Sequence, residues 1–139
     1  MTQAQNKPYY QKIWMQPHTI AIDRMGRSGR KPGIEAVETK RVWNDGTRAL
    51  EVYKLEGSNH ADTMLIAYLP KEKLLIEADV FNPPPANAPA VTGNREAANL
   101  VQNIQRLRLD VQQIAPLHGR LVTMNDLLAA GRGGGAATH

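Results

Sequence analysis

Met64-Leu65-Ile66-Ala67-Tyr68-Leu69-Pro70-Lys71-Glu72-Lys73-Leu74-Leu75-Ile76-Glu77-Ala78-Asp79 is the stretch that decides the fold. Two short apolar runs flank Pro-Lys-Glu-Lys, a turn sequence. Apolar runs of this length bounded by turn signals read as strands rather than helices, which need longer periodic segments. Near-continuous apolarity predicts central strands covered on both faces. The second run ends at a carboxylate, Asp79.

Upstream, Val37, Arg41-Val42-Trp43 and Leu50-Glu51-Val52-Tyr53-Lys54-Leu55 alternate in strand fashion. Asn44-Asp45-Gly46-Thr47 supplies a tight turn, so residues 36–56 are expected to form a hairpin. A polar loop, Gly57 to Thr63, leads into the first apolar run. Downstream, Pro83-Pro84-Pro85, Pro89 and Gly93 make residues 82–94 an irregular connection. Asn94 can cap a helix in which Ala97, Leu100, Val101, Ile104 and Leu107 recur at helical spacing. A short strand, Gln113 to Pro116, then runs into Leu117-His118-Gly119. Thr123 caps a last helix, Met124 to Ala130, which Gly131 stops. At the other end, Pro8, Tyr9, Tyr10, Ile13 and Trp14 read as a short helix stopped by Pro17, followed by a loop over 18–33. The order of elements predicts an α+β layer with helices covering a sheet.

The chain has 139 residues and no cysteine. That length fits one domain, residues 1–130, with a Gly-rich flexible tail over 131–139. The lack of Cys excludes disulfides, thiolate zinc fingers, Fe–S ligation and a thiol nucleophile. It fits a cytosolic protein and equally a bacterial periplasmic one. The formal net charge is +4, with Arg24, Arg27, Arg30, Lys31, Lys40, Arg41 and Arg48 clustered early. A basic cluster is one requirement of nucleic-acid binding, but a single-strand binder also needs aromatic platforms among the cations, and only Trp43 is near. A solvated basic loop and strand face is the plainer reading. No stretch is long and apolar enough to span a membrane, and Met1 to Pro8 lacks the apolar core of a signal peptide. Gly131 to Gly135 lacks the lysine and following helix of a phosphate loop, and no Gly-x-Ser-x-Gly elbow occurs.

Three polar residues stand out by position. His60 precedes the first apolar run, Asp79 ends the second, and His118 ends the late strand. Strand ends of one sheet can converge on one edge, and two imidazoles with a carboxylate suit Zn2+ or a similar ion. Their separations are far too long for a local metal motif, so the ordinary alternative stays open: loop histidines satisfied by backbone groups and a strand-terminal cap. His18, alone after Pro17, reads as structural or solvated.

Gly57-Ser58-Asn59-His60-Ala61-Asp62, Leu75-Ile76-Glu77-Ala78-Asp79 and Ile114-Ala115-Pro116-Leu117-His118-Gly119 together resemble three successive elements of the metallo-β-lactamase superfamily. The resemblance runs from about Asn6 to Leu128. It implies half of an αββα sandwich, one mixed sheet with helices on one face. It also implies that His60 ligates one metal ion, His118 the other, and Asp79 bridges them. Two zinc ions are the implied cofactor; Fe or Mn suits the same donors. The implied chemistry is metal-dependent hydrolysis of a small-molecule amide, ester or thioester bond. The superfamily's His-x-His-x-Asp-His run is absent, and no two histidines lie closer than 21 residues. The chain therefore resembles the C-terminal half of the fold, with one sheet face expected to seek the missing N-terminal half or a homodimer partner. Two other functions remain open from sequence: a non-catalytic remnant or homodimeric interaction module, and a basic nucleic-acid binder.

Overall fold

The computed structural model describes residues 1–16, 20–89 and 91–134. The expectations for Pro17 and His18, and for the tail beyond Gly134, lie outside the described residues. In chain order the elements are β1 (Thr2–Gln3), a single 3-10 turn (Ala4–Asn6), α1 (Lys7–Trp14), α2 (Arg24–Ser28), β2 (Ala36–Val37), β3 (Lys40–Asn44), β4 (Ala49–Lys54), β5 (Leu65–Leu69), β6 (Leu74–Glu77), α3 (Arg95–Arg106), β7 (Gln113–Pro116), β8 (Val122–Thr123) and α4 (Met124–Gly131).

Among the described residues, β3 to β8 form a six-stranded mixed sheet in sequential order. β3 through β6 are antiparallel neighbours, joined by the turns that the sequence predicts. β6 and β7 are parallel, so the chain must cross over between them, and α3 is that crossover. β8 returns antiparallel beside β7.

Register assigns the faces. Glu51, Tyr68, Leu75, Ile114 and Val122 lie in one cross-strand row, and Val52, Ala67, Ile76 and Ala115 in the next. Successive residues point to opposite faces. Ile66, Tyr68, Leu75, Ile114 and Val122 form the core with Ala97, Leu100 and Ile104 of α3 and Leu127 and Ala130 of α4. Both helices thus cover one face, as expected. Asn94 Oδ1 accepts from Ala97 N–H at 3.0 Å, and Thr123 and Asp126 form a reciprocal capping box. α4 approaches α3 closely at Gly131, where a Cβ would come within 3.1 Å of the Ala98 backbone.

The other face lacks the second cover that the apolar runs call for, as the expected half-sandwich implies. Burial along β5 and β6 alternates, and Ile76 is 38 % exposed. The apolar residues are there, and among the described elements the small β1–β2 ribbon lies against β4. β1 and β2 pair in parallel, and β2 runs against β4. Val37 and Val52 are both buried yet stand outside the main core. The side chain of Gln3, also buried, donates to the Met64 carbonyl at 2.7 Å. The sequence reading needs two corrections. Residues 36–37 belong to this ribbon rather than to the hairpin, and the loop over 18–33 contains α2. Asp23 caps α2 by accepting from Gly26 N–H at 2.7 Å, and Gly29 ends it in the left-handed region.

The β3–β4 turn is built on Asp45. Its Oδ1 accepts from Thr47 N–H, Thr47 Oγ1 and Arg48 N–H, each at 2.8 Å. The Arg48 bond foremost, then those of Thr47, hold its carboxyl down at about 2, against an ordinary 3.8. A depressed folded-state value stabilises the fold above the unfolded value, and the gain is lost as pH falls through the folded one. Asp45→Ala should lower the melting temperature at neutral pH, with the gap to the parent protein closing between about pH 4 and pH 2. Thermal unfolding followed by circular dichroism across that range measures it; a pH-independent gap would refute the electrostatic account.

Candidate functional site

Sheet topology brings the three sequence candidates to one edge. β5 begins, and β6 and β7 end, at the same side of the sheet. The loop carrying His60 enters β5 there. Asp79 and His118 leave β6 and β7 there. In the parallel register Glu77 pairs with Pro116, and Leu117 N–H donates to the Glu77 carbonyl at 2.8 Å. Asp79 and His118 each stand two residues beyond that pair. Their side chains meet, with His118 Nε2 3.3 Å from Asp79 Oδ1, 64 % and 41 % exposed respectively.

His60 does not complete a cluster with them. Among the described residues, no three His, Asp or Glu side chains gather closely enough to hold a metal ion. His60 is exposed, on a loop closed at its base by Leu55 N–H donating to the Met64 carbonyl at 3.0 Å.

What fixes that loop is a polar ridge on α3. Glu96, Asn99, Asn103 and Arg106 recur at the spacing that puts them on one helix face. Glu96 accepts from Ser58 Oγ and from Asn59 N–H, both at 2.9 Å. Ser58 Oγ in turn accepts from His60 N–H at 3.1 Å. Asn99 donates to the Glu56 and Gly57 carbonyls at 2.9 and 3.0 Å. Asn103, buried, accepts from Glu56 N–H at 3.0 Å and donates to the Glu56 carbonyl at 2.9 Å. Arg106 reaches Asn103 Oδ1 at 2.8 Å and Glu56 Oε1 at 3.4 Å. Sequence reasoning took this helix for its apolar stripe alone; the polar residues at the same period were the available signal.

The Asp79 turn has its own support. Glu77 is only 3 % exposed, and its Oε2 accepts from Val80 N–H at 2.9 Å and Phe81 N–H at 3.2 Å. Burial pushes its carboxyl above the usual range, against the pull of those two bonds. After Asp79 the Pro-rich segment turns back on the His118 loop. Gly119, at φ +120°, leaves room for Pro83, where a Cβ would sit 3.0 Å from the proline ring.

Of the early basic cluster, Lys40, Arg41 and Arg48 engage Glu51, Glu35 and Glu72 at 3.2, 3.4 and 2.9 Å. Arg41 also stacks over the Trp43 ring at 5.7 Å. No described helix is long and apolar enough to cross a membrane.

Solved structures that superpose on this arrangement of sheet and helices include proteins named as metallo-β-lactamases or as members of that superfamily. A metallo-β-lactamase from Pontibacter korlensis superposes with TM-score 0.51 at 19% identity, over 76% of this chain and 50% of its own. Rubredoxin oxygen:oxidoreductase from Desulfovibrio gigas gives 0.56 at 15% identity, over 91% of this chain and 34% of its own. An archaeal superfamily protein from Sulfolobus tokodaii gives 0.50 at 17% identity, over 68% and 36%. The fold is a partial metallo-β-lactamase fold. The chain spans half or less of the length of these structures. A scan of protein-family models and a search of curated proteins both find no match. A partial metallo-β-lactamase fold is thus established by architecture, and one name among those structures is a lactamase while another is an oxidoreductase, so the fold does not choose the chemistry.

The α3 ridge makes a direct prediction. Asn103→Ala removes the side-chain partner of the Glu56 N–H and one of the two amide donors to the Glu56 carbonyl, part-buried bonds that together contribute about 1–3 kcal/mol. Urea unfolding should show a loss of that size, with faster amide exchange at Glu56 and Asn59. Unchanged exchange at both would remove Asn103 and its neighbours as the anchor of the loop.

Proposed function

We propose that this chain is the C-terminal half of a metallo-β-lactamase-fold, metal-dependent hydrolase, and that it is inactive alone. The observation that carries the reading is the Asp79–His118 pair at the edge where parallel β6 and β7 end. A carboxylate and an imidazole side by side and open to solvent are good donors for zinc, with Fe or Mn as alternatives. His60, on the loop at the same edge, is the third proposed ligand.

The donor set in this chain alone does not fit a complete centre. Zinc sites use three or four protein ligands, and the described residues gather only two. The reading therefore assigns the remaining donors to an N-terminal half bearing the His-x-His-x-Asp-His run. The same half is the proposed cover for the open sheet face around Ala67, Leu74 and Ile76, which are only partly buried. The comparison structures are at least about twice as long as the part that matches, which leaves room for such a half. A small molecule with a hydrolysable carbonyl or ester bond is the proposed substrate class.

Dialysed protein should retain less than one zinc per chain by atomic emission. Extending the chain with the sequence encoded ahead of Met1 should raise this to two and confer hydrolase activity. Two tightly held ions in the unextended chain would defeat the proposal, as would an upstream reading frame without the histidine run. Sedimentation of the unextended chain tests the cover separately. A homodimer that buries Ile76 would make a second copy, rather than the other half, the occupant of that face.

A further inference from the structure

Asp79 occupies a backbone conformation that is uncommon for any residue with a side chain. Its φ is +64°, in the left-handed region. Asp tolerates this region better than most residues, yet it still costs on the order of 1 kcal/mol and persists only where the surroundings impose it. Beside it stands one carboxylate that can do so. Glu77 Oε2 takes the N–H groups of both Val80 and Phe81, so it grips the chain immediately after Asp79 from the strand immediately before it. Charge-assisted bonds of this kind are about twice as strong as neutral ones. The grip closes a tight loop, Glu77 to Phe81, that leaves Asp79 at its apex.

The other oxygen of the same carboxyl gives a second, independent observation. Glu77 Oε1 is buried and has no hydrogen-bond partner among the described residues. A half-satisfied carboxylate inside a fold is expensive, and an apolar side chain of similar size would serve the core better. Glu77 sits on the core face of β6, with Val80 and Phe81 also buried in the core. Packing alone therefore gives no reason for an acid at this position; the turn does.

We infer that Glu77 is the positioning residue of the Asp79–His118 pair: its carboxylate holds the turn after β6 so that Asp79 is left-handed and faces His118. β7 supplies the rest of the geometry, because Leu117 N–H is bonded to the Glu77 carbonyl. One residue thus anchors both halves of the pair, through its side chain toward Asp79 and through its backbone toward His118. The consequence for function rests on the hydrolase reading, but the positioning itself is a property of the metal-free chain.

The test uses the full, metal-free chain with Glu77→Leu, Glu77→Ala and Glu77→Gln, at one fixed neutral pH. A positive φ brings a residue's own Hα and amide proton close, giving a strong intraresidue Overhauser cross-peak. That peak should be strong at position 79 in the parent protein and in Glu77→Gln, whose amide oxygen still accepts from Val80 and Phe81. It should be lost in Glu77→Leu and Glu77→Ala, along with cross-peaks between the His118 ring and Asp79. Amide exchange at Val80 and Phe81 should speed up about tenfold or more in both, the equivalent of one lost hydrogen bond to a charged group. Both substitutions also leave the buried Val80 and Phe81 N–H groups without an acceptor, so the melting temperature should fall in each, and the cross-peaks are read on protein that circular dichroism shows to be folded. Positive φ at 79 surviving in Glu77→Leu or Glu77→Ala would overturn the inference. So would its loss in a folded Glu77→Gln. Neither outcome depends on whether the protein binds zinc, so this inference and the hydrolase reading can fail separately.

Discussion

Everything at the candidate site depends on the parallel pairing of β6 with β7. Antiparallel hairpins build the rest of the sheet, and each needs only a local turn. A parallel neighbour demands a crossover, and the crossover is α3. The helix that completes the topology is therefore also the helix that covers the core and carries the polar ridge. Because parallel strands end at the same edge, pairing Glu77 with Pro116 brings the Asp79 and His118 positions to neighbouring places on that edge. A shift of one register position would turn the apolar set of β7 to the wrong face and separate the two side chains. Core packing of Ile114 and Leu75 thus fixes the geometry of residues that lie outside the core.

The same economy shows in how the site-bearing loops are held. Each is tied to the scaffold by side chains that are themselves on regular elements. Glu77 on β6 grips the Asp79 turn. Glu96, Asn99 and Asn103 on α3 grip the His60 loop. Loops carry the candidate donors, while strands and helices carry the groups that restrict them, which is how a mobile kind of backbone can present a fixed arrangement.

The main sheet was largely legible in the sequence because its signals are local. Alternation marked β3 and β4, Asp45-Gly46 marked their turn, and the Asn94 and Thr123 caps marked the helices. Position at strand ends was enough to nominate His60, Asp79 and His118 as sharing an edge. The β1–β2 ribbon was not legible, since a two-residue parallel pairing between distant segments leaves no periodic trace. Glu77 was passed over because it sits inside an apolar run, where alternation gives a polar residue no distinctive place. Its role depends on backbone N–H groups further along, which only the folded turn brings to it. The open face of β5 and β6 agrees with the expected half-sandwich, helices on one face only; composition reports that a surface is apolar, not which segment of chain lies over it.

On the proposed reading, the two shortages of this structure have one cause. A sheet face with Ile76 partly exposed lacks a layer, and a donor pair lacks its remaining ligands. Both lie on the same sheet, one across its surface and one at its edge. A layer packed on that face would extend to that edge, so it could supply apolar cover and donors together. Hydrophobic burial is non-directional and would bring such a layer down in many orientations. The Asp79–His118 pair, held rigid by Glu77 and by the β6–β7 register, is directional. Fixed donors at the edge select, among the ways of covering the face, the one in which incoming imidazoles meet the carboxylate.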